Sequence, residues 1–259
     1  MLKRFLIFCC ACLALCPLPK ASAQYVRVGV DGPIPLGKLD AMENMLDVAD
    51  AHQKADLLAR LGVDPAIAKT AGEGLLPGQK IQLLPIRTTA GAHSGVVFLP
   101  SGTGVSCSLY LLQGSDEHPG TMPWHAIDHQ QINCWDGTAW LETMPLRQAG
   151  EDDLVLHHVN ENHGSGVVAD QTQIFSILRG KLVETLATED FLSQVTLGTE
   201  DTLEQRSTFL RFPDNSLEET RTTALNGTLK QVERRFWRWS EQKQRFTPGP
   251  FLPVAAPNS

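Results

Sequence analysis

Apolar and polar residues alternate along most of the chain from residue 94 onwards, and this pattern predicts β-strands. Period-two alternation places successive side chains on opposite faces of a sheet, as expected for strands with one buried face. The predicted strands are Gly95–Leu99, Ser106–Gln113, His125–Trp135, Thr138–Leu146, Asp153–Val159, Gln171–Leu178, Lys181–Leu186, Ser207–Phe212, Leu217–Ala224 and Thr228–Trp239. Tight turns such as Asn226-Gly227 separate several of them and are typical of hairpins. The pattern predicts a mainly β fold, an antiparallel hairpin-connected sheet that is sandwich or barrel-like.

Three of these hairpins resemble one another at a spacing close to that of propeller blades. The stretches WDGTAWLET (135–143), LRGKLVET (178–185) and LNGTLKQV (225–232) have turn glycines 43 and 47 residues apart. Propeller blades repeat at about 40–50 residues, and a closed propeller needs about four blades or more. The alternative fold is therefore a partial β-propeller-like meander.

Before residue 94 the apolar residues follow the period of a helix instead. They recur at helical spacing between Leu39 and Leu61, with a break near His52. Pro65 then stands in the first turn of a shorter second helix over Pro65–Ala71, a position that suits proline. The pattern predicts a helical N-terminal section with short strands over residues 24–93.

The end of this helical section resembles part of a known module. Residues Gly72–Ile86 read GEGLLPGQKIQLLPI, in which a Pro-Gly turn precedes a short apolar strand. A helix followed by such a turn and strand resembles the closing part of a LysM peptidoglycan-binding module, over Lys54–Ile86 at most. The opening strand and helix of that module are not recognisable here. The resemblance implies peptidoglycan binding as one candidate function.

The first 23 residues have the pattern of a secretory signal peptide. Lys3 and Arg4 precede an apolar run of 13 residues, Phe5–Pro17, and Ala21-Ser22-Ala23 supplies small residues for cleavage. That run is shorter than the roughly 20 residues needed to span a bilayer. We expect cleavage near Ala23 and an exported, periplasmic or extracellular protein without a transmembrane segment. The predicted organisation is a leader over residues 1–23, a helical section over 24–93, a β domain over 94–247 and a Pro-rich tail over 248–259.

The charge of the mature chain excludes one class of partner. Loss of Lys3, Arg4 and Lys20 with the leader leaves 19 basic and 29 acidic residues, a formal net charge of −10. Binding to a phosphate backbone needs a surplus of lysine and arginine. Nucleic acid is therefore not an expected partner.

Cysteine usage agrees with export. Of the six cysteines, only Cys107 and Cys134 lie outside the leader. Two cysteines in an oxidising compartment most simply form one disulfide. We therefore expect a bond between Cys107 and Cys134, with two buried free thiols as the alternative.

Two stretches rich in histidine and carboxylate residues supply the candidates for a metal or catalytic site. The candidate metal ligands are His125, Asp128, His157 and His163, and the candidate catalytic residues are His157, Glu161 and His163. Two or three imidazoles with a carboxylate suit Zn²⁺. Ordinary strand and loop positions explain the same residues, so no cofactor is expected and zinc is the alternative.

The densest aromatic cluster supplies a candidate ligand surface. On a strand, Trp237 and Trp239 share a face with Arg235, and such a face can stack on sugars. The alternative is that the tryptophans are core residues of the β domain and that the arginines cover the edges of their rings.

No stretch of the sequence carries a strong catalytic or cofactor motif. We therefore expect an exported envelope or extracellular protein that binds or scaffolds without enzymatic activity. The alternatives are a secreted hydrolase, which zinc would assist, and a peptidoglycan- or glycan-binding module with a cell-wall ligand.

Overall fold

The computed structural model describes residues 39–75, 79–88, 94–100, 106–114, 123–134, 138–160, 166–195 and 201–254. The predicted signal peptide lies outside these residues, as do the candidate site residues Glu161 and His163.

Three helices begin the described chain, and side-chain caps fix where two of them start. They are α1 (Leu39–Val48), α2 (Ala51–Arg60) and α3 (Pro65–Glu73). The Asp50 carboxylate accepts the backbone N–H of Gln53 at 2.9 Å, and the Gln53 side chain accepts that of Asp50 at 3.1 Å. This reciprocal capping box starts a new helix close to the predicted break at His52. The Asp64 carboxylate caps α3 without such a return bond, by accepting the backbone N–H groups of Ala66 and Ile67.

Two antiparallel sheets form the rest of the described structure. The smaller sheet has the order β1-β2-β3-β4, with β1 (Gln82–Ile86), β2 (Ser94–Leu99), β3 (Ser106–Gly114) and β4 (Trp124–Asn133). The larger sheet has the order β12-β11-β10-β9-β8-β7-β6-β5, and β13 also pairs with β11. Its strands are β5 (Ala139–Met144), β6 (Asp153–Asn160), β7 (Val167–Leu178), β8 (Lys181–Val195), β9 (Thr202–Arg211), β10 (Leu217–Leu225), β11 (Thr228–Ser240), β12 (Arg245–Pro248) and β13 (Leu252–Pro253). The predicted mainly β, antiparallel fold is confirmed, and the described strands form no closed barrel.

The two sheets stack, and the helices cover the outer face of the smaller one. Leu46 and Leu58 of the helices pack in one buried cluster with Val97 of β2. On the other face of that sheet, Phe98 packs with Leu156 and other residues of the larger sheet. The strand side chains alternate between these two clusters, as the period-two pattern requires. The β1 strand, which precedes residue 94, belongs to the same sheet as β2.

The larger sheet curls back over its own outer face. Val155 of β6 packs in one buried cluster with Leu217 of β10 and Phe246 of β12, although several strands separate them in the sheet. Arg211 of β9 donates from Nε to the carbonyl oxygen of Leu146 at 3.2 Å, and the Arg147 guanidinium lies 5.4 Å from the Trp239 ring centre. A flat sheet cannot bring these residues together, so the curl creates a concave face.

Hairpin turns of the predicted kind connect the strands of this sheet. Asn226 and Gly227 have φ angles of 52° and 73°, and Arg179 and Gly180 have 55° and 76°. Both central residues of a type I′ turn need positive φ, which the asparagine and glycine adopt readily. After β12 the chain keeps pairing with β11, since the Val254 N–H donates to the Val232 carbonyl at 2.8 Å.

Candidate functional site

A cavity of about 250 Å³ lies on the concave face of the curled sheet. Most of its lining is apolar and comes from Met144, Leu146, Val155, Ile174, Leu186, Phe209 and Leu217. Its polar lining residues are His157, Thr172, Thr188, Asp190 and Arg211. A concave, mostly apolar pocket with a few converging polar groups is the usual form of a small-molecule site.

A chain of polar contacts crosses four neighbouring strands at one side of the cavity. Glu142 Oε2 of β5 lies 3.7 Å from His157 Nε2 of β6, and His157 Nδ1 lies 3.0 Å from Thr172 Oγ1 of β7. The Thr172 hydroxyl donates to Asp190 Oδ2 of β8. While the single hydrogen of that hydroxyl goes to Asp190, Thr172 Oγ1 can only accept from His157, and this arrangement requires the proton of a neutral His157 to be on Nδ1.

A β-bulge aims Asp190 into this chain of contacts. In the ladder between β7 and β8, Asp170 pairs with Phe191 and Gln171 pairs with Glu189, so Asp190 is the extra residue. A bulge reorients the side chain of the inserted residue. Asp190 Oδ1 is buried, and it has no hydrogen-bond partner among the residues the structure describes.

Burial shifts the titration of both ionisable groups in the polar chain. It raises the pKa of Asp190 to about 6, against the hydrogen bond from Thr172 and with the help of the nearby Asp170 and Glu219 carboxylates. Burial lowers the pKa of His157, which the charge of Glu142 opposes. Near neutral pH the cavity therefore holds an ionised Asp190 beside a neutral imidazole.

Specific contacts fix the rim of the cavity and its far wall, which strands β9 and β10 and the neighbouring β11 form. Trp140 is 40% exposed and stacks on His157, with 5.0 Å between ring centroids and 19° between ring planes. The Arg211 guanidinium donates from Nη2 to Asn215 Oδ1 at 2.6 Å in addition to its bond to Leu146. Glu219 is fully buried beyond Asp190 and accepts hydrogen bonds from Ser207, Arg221, Arg235 and Trp237.

Replacing Asp190 with asparagine is expected to stabilise the protein at pH 8 by about 1–2 kcal/mol. A rise of the pKa from 3.8 to about 6 corresponds to about 3 kcal/mol, which partial exposure reduces. The folded-state pKa is the higher one, so the cost of the carboxylate is fully present above pH 6 and is relieved as the pH falls towards 4. Urea unfolding at pH 8 and pH 4 measures both effects.

The matched control for this change is Glu189→Gln, which removes the same charge from an exposed neighbour. It should alter stability by less than about 0.5 kcal/mol at either pH. A loss of stability at pH 8 in Asp190→Asn would contradict the assignment of a strained carboxylate.

The structure brings only part of the predicted metal and catalytic set to this cavity. His157 lines it, whereas the adjacent His158 faces the core between the sheets and is 2% exposed. His125 is exposed on β4 of the smaller sheet, and Asp128 on the same strand accepts the Leu182 N–H at 2.7 Å. Because Leu182 belongs to the core between the sheets, Asp128 and His157 lie at opposite faces of the larger sheet. Among the described residues, no group of three or more His, Cys, Asp or Glu side chains is placed to hold a metal ion.

The predicted aromatic cluster lies on β11 along the far wall of the curl. Trp237 is 6% exposed and donates from Nε1 to Glu219 Oε2 at 2.8 Å. The Arg235 guanidinium lies 4.4 Å from the Trp237 ring centre and 4.2 Å from that of Phe251. Trp239 is half-buried and meets Phe246 edge to face. These indoles therefore present little ring area at the surface.

Sequence reasoning missed the two residues that define the polar side of the cavity, Thr172 and Asp190. Thr172 falls inside a predicted strand, where a threonine attracts no attention because it is a common strand residue. Asp190 lies four residues beyond the predicted end of its strand at Leu186, so the sequence pattern did not place its carboxylate in the sheet.

Comparisons with known proteins leave the site to be interpreted from its own geometry. No family model matches the chain, and no curated protein and no solved structure match it. In the part of the chain that the structure covers, no helix is long and apolar enough to cross a membrane.

Proposed function

We propose that the protein is an exported, non-enzymatic binding protein that holds a small, mostly apolar ligand inside the curl of its larger sheet. The observation that carries the proposal is the cavity itself, in which an apolar lining converges on a short polar chain. Ligand sites commonly combine these two features, the first for affinity and the second for orientation.

The size of the cavity sets the size of the ligand. A dry apolar cavity of about 150 Å³ is known to hold benzene. A volume of about 250 Å³ therefore suits a ligand of roughly ten non-hydrogen atoms, such as a short alkyl chain or a substituted aromatic ring. Each buried methylene contributes about 0.8 kcal/mol to binding before the entropic costs are subtracted.

Export is supported by the sequence pattern of residues 1–23 together with the disulfide. Cys107 and Cys134 are bonded, with 5.5 Å between their Cα atoms. Disulfides persist in oxidising compartments such as the periplasm and the extracellular space. We propose that the mature protein binds its ligand in one of these.

A secreted hydrolase is the second candidate, and one contact favours it. Glu142, His157 and Thr172 follow the order of an orienting acid, a base and a nucleophile. Against this order, Thr172 is only 7% exposed and its hydroxyl proton is directed to Asp190 rather than to the imidazole. Hydrolysis of p-nitrophenyl acetate that disappears in Thr172→Val would favour the hydrolase over the binding protein.

Replacing Thr188 with phenylalanine is expected to block the cavity and weaken binding of n-octanol about 10-fold or more. Thr188 lines the cavity and is half-buried, so the added ring occupies ligand volume. From its buried methylenes, n-octanol should bind the unmodified protein with a Kd of about 0.1–1 mM. Titration calorimetry and the rise in Tm with n-octanol measure the affinity.

The control is Thr220→Phe, the same change on the outer face of the sheet. Thr220 is half-buried on β10 and alternates with Glu219, so it points away from the cavity. This variant should bind n-octanol as the unmodified protein does. If the unmodified protein shows neither heat of binding nor a rise in Tm, the proposed function is wrong.

A further inference from the structure

One oxygen atom of the cavity is buried without a partner. Asp190 Oδ2 accepts the Thr172 hydroxyl, but Oδ1 receives no hydrogen bond from any residue in the described ranges. Leaving an acceptor of a carboxylate buried and unpaired costs more than leaving a neutral one. Asp190 lines the cavity and its Oδ1 atom is enclosed, so a small rotation about the soft terminal torsion of the carboxylate brings this atom to a bound ligand, which supplies the missing donor.

The charges around Asp190 favour a cation at this position. Two carboxylates, Asp170 of β7 and Glu219 of β10, act on Asp190 through their charge, and Arg211 of β9 and His157 of β6 line the same cavity. Glu142 of β5 is one step further away, on the other side of His157. Arg211 donates to Asn215 and Leu146, while Arg221 and Arg235 both donate to Glu219. Among the described residues, Glu219 thus has two cationic partners and Asp190 has none.

We propose that the ligand is an amphiphilic amine, with its apolar body in the cavity and its ammonium group on Asp190 Oδ1. This inference rests on the proposed function and names the ligand class of the same site. An ammonium group supplies both the missing hydrogen-bond donor and the missing positive charge. A neutral hydroxyl supplies only the donor, and a carboxylate would place a second negative charge beside Asp190.

Three probes of eight carbon atoms each separate these possibilities by titration calorimetry at pH 8. The probes are n-octylamine, n-octanol and octanoate. n-Octylamine should bind the unmodified protein about 10-fold more tightly than n-octanol, because its positive charge attracts the Asp190 carboxylate and the hydroxyl of n-octanol has no charge. Octanoate should bind more weakly than either. Asp190→Asn should remove the advantage of n-octylamine over n-octanol, whereas Glu189→Gln should leave all three affinities unchanged.

A second measurement needs no variant. An alkylamine stays protonated between pH 8 and pH 5, while Asp190 takes up its proton near pH 6. The affinity for n-octylamine should fall about 10-fold over this range, and the affinity for n-octanol should not fall with it.

The outcomes distinguish this inference from the proposed function. Equal affinities for amine and alcohol, or tightest binding of octanoate, would overturn the amine and leave an apolar binding site. Retention of the amine advantage in Asp190→Asn would also overturn it. Failure of all three probes to bind would overturn the proposed function as well.

Discussion

Replacing Glu219 with glutamine is expected to lower the free energy of unfolding by about 3–5 kcal/mol at pH 7, since the change leaves buried cations without their counter-charge. The Glu219 side chain is fully buried in the far wall of the cavity. Arg235 Nε lies 2.6 Å from its Oε2 atom, and Arg221 Nη2 lies 3.1 Å from Oε1. Both guanidinium groups are largely enclosed, with 16% and 25% of their side chains exposed.

Glutamine at this position keeps the shape of the side chain and changes its hydrogen-bonding capacity. Four donors converge on the two carboxylate oxygens, from Ser207, Arg221, Arg235 and Trp237. An amide offers one oxygen and adds two hydrogens of its own, so at least one donor loses its acceptor. Urea unfolding, followed by tryptophan fluorescence, measures the loss in free energy of unfolding. Trp237 reports on this region because it is one of the donors to Glu219.

The dependence of this effect on pH follows from the pKa of Glu219. Burial acts to raise it, but the hydrogen bonds from Arg235, Trp237 and Ser207 outweigh burial and hold it below the ordinary 4.5. A carboxylate whose pKa is lowered by folding stabilises the protein above its unfolded pKa, and this stabilisation is lost as the pH falls through the folded value. The unmodified protein and Glu219→Gln should therefore converge in stability only well below pH 4.5.

Glu218→Gln is the matched control for this prediction. Glu218 lies on the opposite face of β10, and its Oε2 atom is 3.7 Å from Nη1 of the half-exposed Arg234. Glu218 is 15% exposed, but its pair with Arg234 is long and Arg234 is 49% exposed. An ion pair that solvent reaches contributes little, so the control should lose less than about 1 kcal/mol. Similar losses in the two variants would show that the buried network is not what stabilises the far wall.

The strands and helices were predictable because their signals are local. Period-two alternation located most strands of the two sheets, and the residues of the capping box lie three positions apart in sequence. Turn chemistry works over the same range, since the φ angles of Asn226 and Gly227 depend on those two residues. Each of these features involves neighbours within about four positions along the chain.

The curl of the larger sheet was not predictable from the same signals. It depends on contacts such as that between Arg211 and the Leu146 carbonyl, 65 residues apart in sequence. Alternation assigns a residue to one face of its sheet but does not indicate which other part of the protein packs against that face. Leu217 and Val155 both read as ordinary inward-facing strand residues, and only the curled sheet brings them into one cluster.

The candidate site also has one part that was predictable from the sequence and one part that was not. His157 was a candidate from its residue type alone, whereas its partners depend on the register of β7 and β8. Strict alternation would assign Asp190 to one face of the sheet by counting residues along β8. The bulge adds one residue and so changes which side chains after it face the cavity. The one-residue bulge therefore decides which polar groups line the site, and the composition of the strand does not indicate where the bulge lies.

Removing the disulfide is the second large effect that we expect. The double variant Cys107→Ala, Cys134→Ala should lose about 3–4 kcal/mol, because the bond closes a loop with a sequence separation of 27 residues and restricts the unfolded chain. Both cysteines are almost fully buried between the two sheets, and alanine keeps these positions apolar. Guanidinium unfolding of the oxidised protein and of the variant measures the difference.

The position of the bond explains why its loss should affect the contact between the sheets as well as the unfolded state. Cys134 directly follows β4, which lies at the edge of the smaller sheet among the described strands and pairs with β3, and Cys107 lies on β3. The same strand β4 reaches the larger sheet through Asp128 and Gln130, which bind the backbone N–H and carbonyl of Leu182 at 2.7 and 3.2 Å. Reduction of the unmodified protein should therefore lower its stability to that of the double variant, and a reductant should not change the variant. Equal stability of the oxidised protein and the variant would show that the stacked sheets hold β4 without the cross-link.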